Sequence, residues 1–451
     1  MVRWSEAAIR ATLLAVGVCA ISGLRGVAQQ PQDKDQPVHV TLAEAIKRAQ
    51  ANEPAFAAAM AAQQTASIDG YLAKAALLPT AVYHNQVLYT QSNGEKNQGG
   101  QIGSQAAPIF IANNAVHEYA SQATINETIG LKQIANAQIA SANAARAAAE
   151  MEIARRGLVT TVVGLYYGVA SAQEKASIQE EALGEARAFA ELTQKRETAR
   201  EAAHADVVKA ELQTQQKQRD FEDARIAADK ARLELGVLLF ADPRAAYSTD
   251  APSVPPQLPA REEIDAMASK NNPEMRSALA EVSAANAGVK SARAAYLPDL
   301  GLNFTYGIDA PQFAKRGPDA VNNLGYSMSA TVDLPVWDWF STQKKIKQSE
   351  IQRNVAKVNL TAAQRRLIAS LEESYMEARV ARDQLALLDA SVTTAQENLR
   401  LTKLRYAAGE STALEMVDAQ NYFLAARTAK TDGLVRFENA MAALRALTGS
   451  F

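Results

Sequence analysis

The chain has 451 residues; 48% are hydrophobic but only 6% aromatic, and alanine supplies much of the apolar share. A broad oily core is excluded, and long helices packed closely side by side are favoured. A net charge of -2 leaves no electrostatic footprint for nucleic acid, and no basic stripe with interleaved aromatics reverses that.

Arg3 and Arg10 precede the apolar run from Ala11 to Ile21, and Gly26-Val27-Ala28 places small residues at a cleavage site. Residues 1–28 therefore read as a secretory signal. Cys19, which follows Val16-Gly17-Val18, leaves a lipoprotein alternative open, against which Val18 and the continuing apolar sequence both weigh. No later stretch approaches the roughly 18 consecutive apolar residues of a membrane helix, so any membrane insertion must use strands.

The rest of the chain is a duplication. Asn52-Glu53-Pro54 returns as Asn271-Asn272-Pro273, and Ala75-Ala76-Leu77-Leu78-Pro79 as Ala294-Ala295-Tyr296-Leu297-Pro298, both at an offset of 219 (273 − 54 and 298 − 79). The first repeat covers 29–240 and the second 260–449, with a Pro-rich linker over 241–259 that cannot be helix interior. In the first repeat, Thr41 and Glu44 form a capping box for a helix running to about Leu78. In the second, a helix runs from about Ala260 to Leu297. Pro54 and Pro273 predict a break or kink in each.

Strands follow. Leu300, Leu302, Phe304, Tyr306 and Ile308 alternate with Gly301, Asn303, Thr305, Gly307 and Asp309, and the pattern resumes over Leu324 to Leu334. One apolar and one small-polar face over about ten residues suits a membrane barrel; half of a soluble antiparallel sheet alternates in the same way. The first-repeat strands, about Thr80 to Thr90 and Val116 to Glu127, alternate less cleanly because His84 and Gln86 interrupt Tyr83, Val87 and Tyr89. A Gly/Asn/Gln-rich loop from Ser92 to Asn114 joins them.

Each repeat closes with a helical hairpin. Leu385, Leu388, Val392, Ala395, Leu399, Thr402 and Tyr406 form a coiled-coil seam that ends at Gly409. Long helices are expected from about Ile129 to Arg200 and from Trp337 to Tyr406, on the order of 100 Å each at 1.5 Å per residue. Two half-length helices end to end would lie beside each. Four strands cannot close a barrel, so the chain must oligomerise; two copies give eight strands, and three give twelve and leave a lumen.

These features in this order resemble the TolC family of outer-membrane efflux channels, over about Val40 to Gly449. Leu334-Pro335-Val336-Trp337-Asp338 and Leu404-Arg405-Tyr406-Ala407-Ala408-Gly409, followed by Leu414-Glu415-Met416-Val417-Asp418-Ala419-Gln420, carry the likeness most specifically. The resemblance implies a mainly α fold with a transmembrane β part: a coiled-coil helical barrel and four strands per protomer, making a 12-stranded barrel in a homotrimer. It implies an exit duct in the outer membrane, docked through a periplasmic adaptor to an inner-membrane pump. A non-channel periplasmic scaffold or adaptor is the alternative, and it leaves the alternating strands unexplained.

By the same resemblance Glu415 and Asp418 line a pore constriction, where three copies make carboxylate rings whose repulsion raises some of their pKa values. Asp206 stands at the matching place in the first tip. Its arginine partner is replaced by Ser411, with Arg405 or Arg200 as substitutes. The adaptor-docking tips comprise Arg200, Glu201, Ala202, Tyr406, Gly409, Glu410 and Ser411. Arg200 stands where Gly409 stands in the second tip, so the two tips are expected to differ. Trp337 and Trp339 mark a membrane-interface belt or, as an alternative, core packing at the junction. His39, His84, His117 and His204 show no metal-ligand spacing, and no catalytic constellation or cofactor motif is present.

Overall fold

The computed structural model describes residues 38–89, 117–250, 257–310, 313–317, 320 and 322–450. The signal segment, the Ser92–Asn114 loop and residues 251–256 of the linker lie outside the described residues.

The first repeat runs β1 (Val38–Val40), α1 (Leu42–Asn52), α2 (Pro54–Ala75), β2 (Thr80–Tyr89), β3 (His117–Ile129), α3 (Leu131–Thr198) and α4 (His204–Leu239), and β4 (Tyr247–Thr249) follows in the linker. The second runs α5 (Arg261–Asn271), α6 (Pro273–Ala294), β5 (Asp299–Ala310), β6 (Leu324–Asp333), α7 (Ser341–Ala407) and α8 (Ala413–Thr448). The early prolines break the helices outright. Proline lacks the N–H that would continue the ladder and pushes its predecessor out of the helical region. Glu53 therefore ends α1 and starts α2. Asn272 does the same between α5 and α6, its Oδ1 accepting from the Met275 N–H at 2.9 Å.

The four long strands form one antiparallel sheet in the order β2-β3-β5-β6. Its register sets Tyr83, Ala123, Tyr306 and Tyr326 side by side, with Ala81, Ile125, Phe304 and Met328 in the next row of the same face. His84 and Gln86 do not interrupt that face. They lie on the opposite one, whose rows hold Gln122, Gly307 and Gly325, and then Ala120 and Asp309. The apolar face thus extends across all four strands, and among the described residues β2 and β6 are the edge strands.

Beside the sheet, α3 is flanked by α2 and α6, and α7 packs on α6. Farther from it, α3 is flanked by α4 and α8, and α7 packs on α8. Each long helix of 67 or 68 residues is about 100 Å long, and stacked short helices run alongside it. Among the described residues, one flank of α7 has no neighbouring helix.

The core sits near the middle of α3. Tyr166, fully buried with Val40, Val162 and Leu235, donates from its hydroxyl to the Val40 carbonyl at 2.9 Å and accepts from the Asp250 N–H at 2.8 Å. Burial pushes its own pKa up to about 12. Arg156, one turn past the start of this core, is buried. It donates to the Ala446 carbonyl at 2.8 Å, near the end of α8, to the Asn271 carbonyl at 3.1 Å, at the end of α5, and to Glu152 at 2.7 Å. A guanidinium at two helix C-termini meets unpaired carbonyls and the negative ends of two helix dipoles.

Candidate functional site: the hairpin tips and the sheet-to-helix junction

The two tips have the same backbone. In the second, Ala408 caps α7, Gly409 takes φ +81°, and the N–H groups of Gly409 and Glu410 donate to the carbonyls of Tyr406 and Arg405. In the first, Arg200 takes φ +62°, and the N–H groups of Arg200 and Glu201 donate to Glu197 and Arg196. Both are Schellman turns, which satisfy carbonyls the helix end leaves open. The expected difference between the tips therefore does not extend to the backbone; Arg200 adopts the left-handed conformation at a cost of about 1–2 kcal/mol that glycine avoids.

The caps that follow do differ. Thr412 Oγ1 accepts from the Glu415 N–H at 3.2 Å, whereas Ala203, the matching residue before α4, has no side chain to offer.

Tyr406, expected at the docking surface, is instead buried. Its hydroxyl lies 3.0 Å from Thr193 Oγ1, its ring packs on Phe189 at 5.1 Å, and the Arg196 guanidinium stands 5.0 Å from the ring centroid. Arg196 also donates to the Tyr406 carbonyl and faces Glu201 at 3.7 Å. An aromatic at the end of the a/d seam turns inward, so Tyr406 clasps the end of α7 to the end of α3. Arg200, Glu201, Gly409 and Glu410 remain exposed at the tips, with Ala202 and Ser411 partly so.

Glu415 and Asp418 are both exposed on α8, while Met416, Val417 and Ala419 between and beside them are buried with Phe189 and Leu399. The packing thus turns the carboxylates away from the helical core of the tip. Glu415 accepts from Ser411, and Arg405 stands 3.9 Å away. The Ser411 hydrogen bond, aided by the backbone bond at Thr412 and the charge of Arg405, holds the Glu415 carboxyl below its usual range. Within one protomer these local donors act on Glu415 in the opposite sense to the rise expected of the three-fold ring. Asp206 has no cation within ion-pairing distance among the described residues, and Arg405 faces Glu415 instead.

At the other end, the long helix begins at Ser341 and not at Trp337. Trp339 and Phe340 both take left-handed backbone, φ +56° and +62°. Asp338 holds the bend: its Oδ2 accepts from the Thr342 N–H at 2.7 Å and its carbonyl from Ser341 at 3.1 Å. Trp337 meets Trp339 and Phe340 edge to face, each at 5.6 Å. All three rings are well exposed, so core packing does not account for them in the protomer. Sequence reasoning missed the bend because none of its residues is glycine; Asp338, four residues before a helical N–H, was the available signal.

Among the described residues there is no cluster of His, Cys, Asp and Glu able to hold a metal, and no helix long and apolar enough to cross a membrane.

This fold defines a class: paired helical repeats forming part of a hollow cylinder, with a four-stranded sheet at one end. The family model for outer membrane efflux proteins matches residues 266–450. The outer membrane protein TolC of Vibrio cholerae is 29% identical over 193 residues, 42% of this chain and 41% of that protein. The match thus spans about two fifths of that relative's length. The CmeC outer membrane channel of Campylobacter jejuni has the same fold, with a TM-score of 0.76 at 14% identity over 93% of this chain and 90% of that one. VceC of Vibrio cholerae matches with a TM-score of 0.76 at 17% identity over 90% and 96%. The chain thus shares the fold of these channels, and its residues 266–450 resemble the outer membrane efflux protein family.

Proposed function

We propose that the chain is one protomer of a homotrimeric outer-membrane exit duct, a passive channel and not an enzyme, serving an efflux pump or a type I secretion system. A comparison of α3 with α7 carries this reading. The two helices correspond at an offset of 209 (367 − 158), and Leu158 and Leu367, Val162 and Leu371, and Val169 and Ala378 are all buried toward their own hairpins. Their second faces differ. Val159 and Ile178, covered by α8, are 1% and 2% exposed, whereas Ile368 and Leu387 on α7 are each 67% exposed. On the covering helices, Ala442 is 2% exposed and its counterpart Leu233 on α4 is 39%.

Each protomer thus makes one repeat-to-repeat seam internally and leaves both halves of an equivalent seam open. A second copy placing α4 on α7, as α8 lies on α3, buries both. The same operation brings a free β2 edge to a free β6 edge. Repeated to closure with three copies, it gives twelve strands with the apolar face outward and the polar face around a lumen.

In that assembly the barrel spans the outer membrane, Trp337 and Trp339 lie at its interface with lipid, and the helical cylinder reaches into the periplasm. The exposed tip residues face the adaptor of an inner-membrane pump. Glu415, Asp418 and Asp206 surround the aperture. Heat-modifiable trimers in outer-membrane fractions, with single-channel conductance in planar bilayers, test the proposal; a soluble, non-conducting monomer overturns it.

A further inference from the structure

Two features stand together at the start of α7, and the exit-duct reading uses only the indoles of the first. The first is apolar. Past the paired part of β6, Leu334, Val336, Trp337, Trp339 and Phe340 are each more than half exposed. They follow directly on β6, where Tyr326, Met328 and Val332 are exposed.

The second is cationic. Helix α7 opens Ser341-Thr342-Gln343-Lys344-Lys345-Ile346-Lys347, and its three lysines are exposed with no ion-pair partner among the described residues. Lysine near a helix N-terminus runs against the helix dipole, which favours acidic side chains there. The chain follows that rule at α5 with Glu262 and Glu263, at α6 with Glu274 and at α8 with Glu415. The two long helices that leave the sheet have no acidic residue in the first turn itself: α3 opens with Lys132, and the carboxylate at the start of α7 is that of Asp338, at the bend before it. One carboxylate, Asp338, stands against the three lysines of α7, and the excess positive charge faces outward.

We propose that this junction binds anionic phospholipid of the periplasmic leaflet, with the indoles at the hydrocarbon boundary and Lys344, Lys345 and Lys347 among the phosphates. The inference rests on the sheet spanning the membrane. The lysines stand four to seven residues beyond Phe340, about 6–10 Å along the helix, which matches the depth of a headgroup layer. Each lysine close to an anionic surface enriches it by about fivefold.

The chain has three tryptophans, Trp4, Trp337 and Trp339, so with Trp4→Phe the fluorescence of the whole trimer reports this junction alone. Trimers are reconstituted in phosphatidylcholine vesicles doped with either brominated phosphatidylglycerol or brominated phosphatidylcholine. Both should quench, the anionic lipid severalfold more effectively per mole. That preference should disappear in Lys344→Gln/Lys345→Gln/Lys347→Gln and in about 1 M salt, where screening is short-ranged. Equal quenching by the two lipids in the unaltered trimer, or an anionic preference that survives in the triple variant, overturns the proposal. So does an absence of quenching in trimers that still conduct, and in that case the channel reading stands. A preparation that neither conducts nor is quenched overturns both.

Discussion

Arg200 and Gly409 occupy the same left-handed position of the same turn, 209 residues apart (409 − 200). One pays a backbone penalty there and the other does not. Arg200→Gly should stabilise its tip by about 1 kcal/mol, seen as slower hydrogen exchange in the last turn of α3. Gly409→Val should destabilise by at least as much. If export and adaptor cross-linking were both unchanged in Gly409→Val, the tips would not be the docking site.

The open seam makes a sharper prediction about assembly. Because Val159 packs on Ala442 within one chain, Ile368 should pack on Leu233 of a second copy. Ile368→Cys with Leu233→Cys should, on oxidation, give covalent dimers and trimers on denaturing gels. Val159→Cys with Ala442→Cys should close within the monomer. No cysteine follows Cys19 to compete. Intermolecular bonds from the second pair only would refute the proposed arrangement.

Acid stability should depend on Glu152. Its pKa is lowered from 4.5 to about 2, first by the hydrogen bond from Arg155 and then by that from Arg156. A depressed folded pKa stabilises above the unfolded value, so this contribution is full above pH 4.5 and is lost as pH falls toward 2. Its size is about 2–3 kcal/mol after allowance for partial exposure. Glu152→Gln should lower the melting temperature at neutral pH and flatten the acid limb between those values. Arg156→Met, which strips two helix ends of their donor, should cost about 3 kcal/mol or more at every pH. A Glu152→Gln acid limb as steep as that of the unaltered protein would count against the assignment.

Ion selectivity should follow the aperture carboxylates. Since Ser411, Thr412 and Arg405 lower the Glu415 pKa below 4.5, cation preference should persist through mildly acidic solution and weaken only as pH falls past that range. Glu415→Gln with Asp418→Asn should weaken the preference and relieve block by trivalent cations, leaving trimers intact. Reversal potentials across a salt gradient measure this. Identical selectivity and block in both forms would place these side chains on an outer solvated face.

Much of this fold could be read from residue pattern alone, because its signals are periodic and local. The Pro54 and Pro273 breaks, the alternation from Leu300 and the Gly409 turn each depend on one residue type whose backbone behaviour is known in advance. Arg200, Trp339 and Phe340 gave no such signal: they take left-handed backbone because neighbouring hydrogen bonds require it. Tyr406 could be placed on a seam, but whether the tip exposed or buried it depended on Phe189, Thr193 and Arg196, more than 200 residues away. The β1–β4 pairing went unnoticed because three residues are too few to alternate visibly. His84 and Gln86 looked disruptive only while their strand was read without its partner's register.

The β1–β4 pair ties Val38–Val40 to Tyr247–Thr249, so the linker that leaves the first repeat is hydrogen-bonded back to that repeat's start. The second repeat has no such closure among the described residues, and its last helix is held by Arg156 of the first. In a closed ring, six staves would then meet at six seams, of which three are spanned by the chain's own peptide bonds and three are not. A cylinder built this way is mechanically three-fold even where its outline is six-fold. Strain applied at the tips would collect at the unspanned seams, where only side chains such as Ile368 and Leu233 resist it.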